Sequence, residues 1–204
     1  MTDTNWNSEQ LAAHFRECET IRDVISLLEN EAASRGEVIC EIRVNGQLLQ
    51  EDDETRFANN PRSMIQQLSI RCDRPEHLIG QALRSALSFI PLLTQASTET
   101  ARLFREGEVH RASENLNEAL EGCQWFVETV HHARGAASGV GNSVSGPERW
   151  LEAEKFFSKV LRELTETFDR KDYVMTADVL EYELTGALEM WLPVLQNESD
   201  RRPV

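Results

Sequence analysis

The densest group of side chains able to do chemistry lies at Asp178, Glu181, Tyr182 and Glu183. Asp178 and Glu181 are one helical turn apart and border the apolar positions Ala177, Leu184 and Leu188. Two carboxylates so placed act as acid and base when one of them is desolvated and its pKa raised. A second group, Glu128-Thr-Val-His131-His132, contains a Glu-x-x-His. That spacing sets both side chains on one helix face in carboxylate-bridged di-metal bundles. Such a centre takes two copies of the motif, and neither Glu76-His77 nor His110 supplies the second. The metal reading therefore has to join Glu128 and His131 to carboxylates such as Asp178 and Glu181. The plainer reading makes all of them solvated or hydrogen-bonded faces. In it, His131 and His132 stand near a helix end, where cations suit the macrodipole. No nucleophile elbow, Cys–His signature or dinucleotide fingerprint occurs. No catalytic residue is assigned, no cofactor is expected, and the reading leans away from an enzyme.

The four cysteines, Cys18, Cys40, Cys72 and Cys123, include no C-x-x-C pair, which a zinc site would normally show. Each falls in phase with apolar neighbours, as in Val38, Cys40, Ile42 and Val44, and so reads as a buried, reduced thiol. That points to a reducing cytoplasm. Among the tryptophans, Trp6 lies in a polar N-terminal tail. Trp191 fits a core face, while Trp125 sits beside one. A boundary tryptophan on an acidic surface is a usual constituent of a protein interface, so Trp125, Trp191 and Tyr182 are the candidate binding residues.

The elements that must position these side chains follow from periodicity. Leu11, Phe15, Cys18, Ile21, Ile25 and Leu28 recur at three and four, predicting either one bent helix or two short ones up to Gly36. Residues 37–44 alternate and are rich in β-branched side chains. Asn45-Gly46 then predicts a tight hairpin turn into 47–50. Residues 51–61 read as a polar loop, and 65–72 as a third strand. From Pro75 the pattern becomes four long amphipathic helices, broken near Arg105-Glu-Gly107 and Arg170-Lys-Asp172, with a kink expected at Pro91. A Gly/Ser-rich connection, 135–146, joins two hairpins that resemble each other. Phe104, Ala112, Leu116, Leu120 and Trp125 parallel Phe168, Ala177, Leu180, Leu184 and Trp191, at offsets that drift from 64 to 66 residues. That connection has no preceding strand and no P-loop lysine, so it is not a phosphate cradle. A flexible link, or a segment ordered by a partner, suits it better. The expected architecture is mostly α with a small α+β part. An N-terminal helix with a three-stranded antiparallel sheet fills residues 1–74, and an antiparallel four-helix bundle of two hairpins fills 75–204.

The chain has 204 residues, 35 acidic and 21 basic, for a formal charge of -14. The excess opposes a phosphate backbone and an anionic membrane surface, so neither nucleic acid nor membrane is an expected partner. The N-terminal residues are polar and acidic, and no apolar run approaches the length of a membrane span.

The turn at Gly107-Glu108, followed by the alanine- and leucine-rich positions Ala112, Leu116 and Ala119-Leu120, carries a resemblance. Together with the second hairpin's Ala177-Asp-Val-Leu-Glu-Tyr-Glu-Leu184, it resembles uncharacterised bacterial proteins built of a small α+β head and a helical tail. The helical half is loosely similar to the flagellin-export chaperone family, whose bundles bind other proteins. No functional residue is carried over. The expectation is a cytoplasmic, non-enzymatic adaptor or chaperone-like module that binds another protein or itself, as a homodimer. The alternative is a metal-dependent enzyme with its site in the bundle.

Overall fold

The computed structural model describes residues 2–50, 56–139 and 146–201. The acidic run Glu51–Glu54 and positions 140–145 of the Gly/Ser-rich connection lie outside the described residues. The chain divides into two compact units, Met1–Leu78 and Ile79–Val204. The whole is mostly α with a small α+β part.

The first unit contains β1 (Thr2–Asn7), α1 (Ser8–His14), α2 (Ile21–Ser34), β2 (Val38–Val44), β3 (Gln47–Leu48), a 3₁₀ turn (Arg62–Met64) and β4 (Gln67–Asp73). The sheet has four strands rather than three, in the order β1-β4-β2-β3, with every neighbour antiparallel. The extra strand comes from the polar N-terminal tail. An edge strand with one solvated face needs few apolar residues, and here Trp6 alone anchors it against the core. Asn7 closes the strand and opens α1 through a capping box with Gln10.

A second capping box starts α2. Thr20 Oγ1 accepts from the Asp23 N–H at 3.2 Å, and Asp23 Oδ2 accepts from the Thr20 N–H at 2.8 Å. Of the two readings of this stretch, two short helices is therefore the correct one.

The hairpin turn has φ of 52° at Asn45 and 81° at Gly46, the pair of positive angles a type I′ turn requires. Asn45 also ties the turn to β4. Its Oδ1 accepts from the Gln66 and Gln67 N–H groups at 2.8 and 3.0 Å, and its Nδ2 donates to the Met64 carbonyl at 3.0 Å.

A β-bulge between Ile39 and Glu41 interrupts the alternation of β2. It turns Ile39 toward the core and leaves Val38 and Cys40 exposed. The expected row of Val38, Cys40, Ile42 and Val44 on one face is corrected accordingly. Cys72 is buried and Cys18 half-buried, and all four thiols are free. Leu11, Val24 and Leu28 from the helices, with Phe15 just after α1, pack against Ile42, Leu68, Ile70 and Cys72 of the sheet.

The second unit is built from α3 (Pro75–Arg105) from Ile79 onward, α4 (Val109–Gly139), α5 (Pro147–Asp169), α6 (Tyr173–Asp178), a π-helical turn (Val179–Leu184) and α7 (Thr185–Arg201). α3 runs through Pro91 without interruption. α4 continues to Gly139, so residues 135–139 of the Gly/Ser-rich stretch are helical, which corrects the expected connection over 135–146. Ala133 and Ala137 extend the buried row of Phe126 and Val130, and their packing outweighs the low helix propensity of Gly135 and Gly139. His131 and His132 consequently lie two turns inside the helix, not at its end.

The two hairpin turns are built alike. At the first, the Gly107 N–H donates to the Phe104 carbonyl and the Glu108 N–H to Leu103. At the second, the Lys171 N–H donates to Phe168 and the Asp172 N–H to Thr167. Gly107 and Lys171 are both left-handed, at φ 80° and 58°. Each donor and acceptor of one turn lies 64 residues from its counterpart in the other. Phe104 and Phe168 meet in the core at 6.2 Å.

The buried rows follow the same template until the π turn. Ala112 and Leu116 match Thr176 and Leu180 at 64 residues, whereas Ala119, Cys123, Phe126 and Val130 match Leu184, Leu188, Trp191 and Leu195 at 65. One residue has been added within Val179–Leu184, and the wider π turn absorbs it. Trp191 is thus the counterpart of Phe126, not of Trp125. These two touch at 5.8 Å. Among the described residues, no helix is long and apolar enough to cross a membrane.

Candidate functional site

Among the described residues, two aromatic groups of the bundle centre on an exposed ring, one on each hairpin. The first centres on Trp125 of α4, which is 42% exposed. Its indole meets the half-buried Phe89 of α3 edge-on, with centroids 4.7 Å apart. The helices can approach here because position 122 is glycine. A Cβ on Gly122 would stand 2.7 Å from Leu93 Cδ2 and 3.4 Å from the Phe89 ring. Leu92, one turn along α3 from Phe89, is 58% exposed. Neither Phe89 nor Leu92 is among the candidates that the sequence offers, since local spacing does not separate an outward apolar residue from a core one.

The second group centres on Tyr182 of the π turn, which is 66% exposed. Arg105, at the end of α3, lies over its ring at 5.9 Å. The same guanidinium donates to Asp178 at 2.9 Å and to Glu181. Val174 and Met175, also exposed, lie on the preceding turns. Arg105 joins residues more than seventy positions away in sequence, so no local pattern could have flagged it.

The carboxylates proposed as an acid/base pair are therefore the two arms of an arginine clamp. Neither Asp178 nor Glu181 is buried, so the desolvation that makes a carboxyl a general acid is missing. The metal set does not gather either. Asp178 and Glu181 are engaged by Arg105, Glu128 accepts from Gln124 Nε2 at 2.9 Å, and His131 is exposed beside His132. Among the described residues, no three His, Cys, Asp or Glu side chains converge to hold a metal ion. Trp191, the remaining candidate for binding, is only 3% exposed and packs against Trp150 and Phe126. It belongs to the core.

In the first unit, Asp73 is buried at the start of α3. Its Oδ1 accepts from the Arg74 N–H at 2.8 Å, and His77 Nδ1 donates to its Oδ2 at 2.7 Å. These bonds, the histidine's first, hold the carboxyl below its ordinary pKa. Asp73 thus anchors the helix start from two residues before Pro75.

Comparison with protein families gives a match over residues 81–194, to a family described as a domain of unknown function, DUF8042. The chain belongs to this family. The DUF8042 segment begins inside α3 and ends inside α7. It therefore contains both hairpins and both outward aromatic groups, while the sheet-bearing unit lies before it. No curated protein matches the chain, and no solved structure does.

Proposed function

We propose that this DUF8042 chain is a non-enzymatic protein-binding module, an adaptor or chaperone-like protein, whose partner docks on the first helical hairpin. The observation that carries this reading is the exposed apolar surface formed by Trp125, Phe89 and Leu92. A large aromatic held edge-on over a second ring is rigid, so burying it against a partner forfeits little side-chain entropy. Tryptophans so placed are the usual anchors of interfaces. The loose likeness of the helical half to flagellin-export chaperones points the same way, as does the bacterial setting of the two-part proteins it resembles. Free thiols and an acidic surface suit a cytoplasmic protein that avoids nucleic acid and anionic lipid. The partner is another protein or a second copy of the chain.

The experiment compares tagged full-length chain with its Trp125→Ala and Leu92→Ala variants in native lysate, by mass spectrometry and light scattering. A protein retained by the parent chain and lost by both variants is the expected result, as is a dimer lost in the same way. A chain recovered alone and monomeric in repeated preparations overturns the reading.

A further inference from the structure

We infer that the occupant of the Trp125 face is a cationic amphipathic helix, an inference that rests on the docking reading above and names the partner's chemistry. The face is divided lengthwise. On α3, the stretch Gln81–Thr98 holds a single charged residue, the half-buried Arg84, and offers Phe89 and Leu92. On α4, Glu114, Glu118, Glu121, Trp125 and Glu128 recur at three and four, which sets them along one side of that helix. Trp125 stands on the line between the neutral strip and the acidic row.

Among the described residues, Glu118, Glu121 and Glu128 form no ion pair, and Glu114 has only the exposed His110 at 3.5 Å. Elsewhere in this unit, cations sit on Glu99, Glu106, Glu154, Asp178 and Glu181, while Glu163 and Glu166 of α5 have no ion pair among the described residues and so make a matched control for the α4 row. From Glu114 to Glu128 the row spans about 20 Å, four turns of helix. A helix with leucine-type side chains on one face and lysine or arginine beside them would match both strips at once. A second copy of this chain is a poor occupant of the same face, since it would bring two rows of carboxylates together. An anionic lipid surface meets the same repulsion.

The test uses the full-length chain and a fluorescein-labelled Leu/Lys amphipathic peptide of roughly five helical turns, read by anisotropy at low salt. An otherwise identical Leu/Glu peptide is run beside it. The Leu/Lys peptide is expected to bind and the Leu/Glu peptide to fail. Trp125→Ala should weaken binding about tenfold or more. The surface pair Glu118→Lys with Glu121→Lys should do the same, with the thermal midpoint checking that each variant stays folded. Glu163→Lys with Glu166→Lys makes the same charge change on α5 and should weaken binding less than about twofold.

Equal losses from the two charge-reversal pairs would mean that only overall acidity is sensed, and would overturn the inference. Unchanged affinity in Trp125→Ala, or equal binding of the Leu/Glu peptide, overturns it too. A native partner that depends on Trp125 while the Leu/Lys peptide does not bind would sink the charge assignment and leave the docking reading standing.

Discussion

Asp73 and Cys123 are both buried, but their surroundings push their protonation in opposite directions. The Asp73 carboxylate is hydrogen-bonded by His77 and the Arg74 amide, so its folded pKa lies below its unfolded value. Its contribution is therefore complete above the unfolded value of about 3.9 and disappears as pH falls through the folded one. Asp73→Asn should flatten the acid limb of the stability curve below about pH 4, measured by chemical denaturation across pH. Cys123 has no polar partner to offset burial, and its thiol is pushed up to about 12. In native protein at about pH 8 it should resist iodoacetamide, while the exposed Cys40 is alkylated first. Peptide mass mapping over time checks the order. Strict alternation puts Cys40 on the buried side of β2; a bulge leaves no reliable mark in a single sequence.

At the level of elements, the two hairpin turns offer a matched experiment. Gly107 adopts positive φ freely, whereas Lys171 adopts it against the clash of its own Cβ. Lys171→Gly should stabilise the bundle by about 0.5–1 kcal/mol, and Gly107→Ala should destabilise it by about 1–2 kcal/mol, by thermal or urea unfolding. Nothing lies within 4 Å of a Cβ built at Gly107, so the second effect is conformational and not a clash.

The π turn gives a sharper contrast. Deleting Glu183 removes one residue where one has been added, and should leave a folded bundle with the 64-residue spacing restored throughout. Deleting Gln124 from α4 rotates every later side chain by about 100° and should abolish cooperative unfolding in a thermal melt. Helix faces, both turns and the Asn45-Gly46 hairpin were legible because each rests on local periodicity or local φ. The π turn was half legible. Leu180, Leu184 and Leu188 are spaced four and four, where the α4 row alternates four and three. Letting the offset drift to 66 pairs Trp125 with Trp191, whereas one added residue gives 65 and pairs Phe126 with it. β1 was not legible, since its pairing with β4 is long-range and its side chains are polar. The Arg105 clamp and the Phe89–Trp125 contact were hidden for the same reason, each joining helices through packing that no local spacing encodes.

Across the whole molecule, the net charge of -14 sets the response to salt. Most of the ion pairs are exposed and individually worth little, so screening them loses less than screening the general repulsion gains. Raising sodium chloride from about 0.02 M to about 0.3 M, which shortens the Debye length severalfold, should raise the thermal midpoint. A fall would mean that specific ion pairs, the Arg105 clamp foremost, dominate the balance. The same addition should weaken any cation-bearing partner, so stability and binding are expected to move in opposite directions with ionic strength.

The indoles of Trp150 and Trp191 stand at 90° to one another with centroids 5.3 Å apart, deep in the bundle, while Trp125 faces water. Two chromophores so close exchange excitation energy, and their fixed angle lends near-ultraviolet circular dichroism a signal that depends on the packed interior. Trp125 should emit to the red of both, because it is far more exposed to water. With Trp6, the indole of the first unit, replaced by phenylalanine, the chain has two separate optical channels, one reporting whether the interior is intact and the other whether the outer face is occupied, without any attached dye.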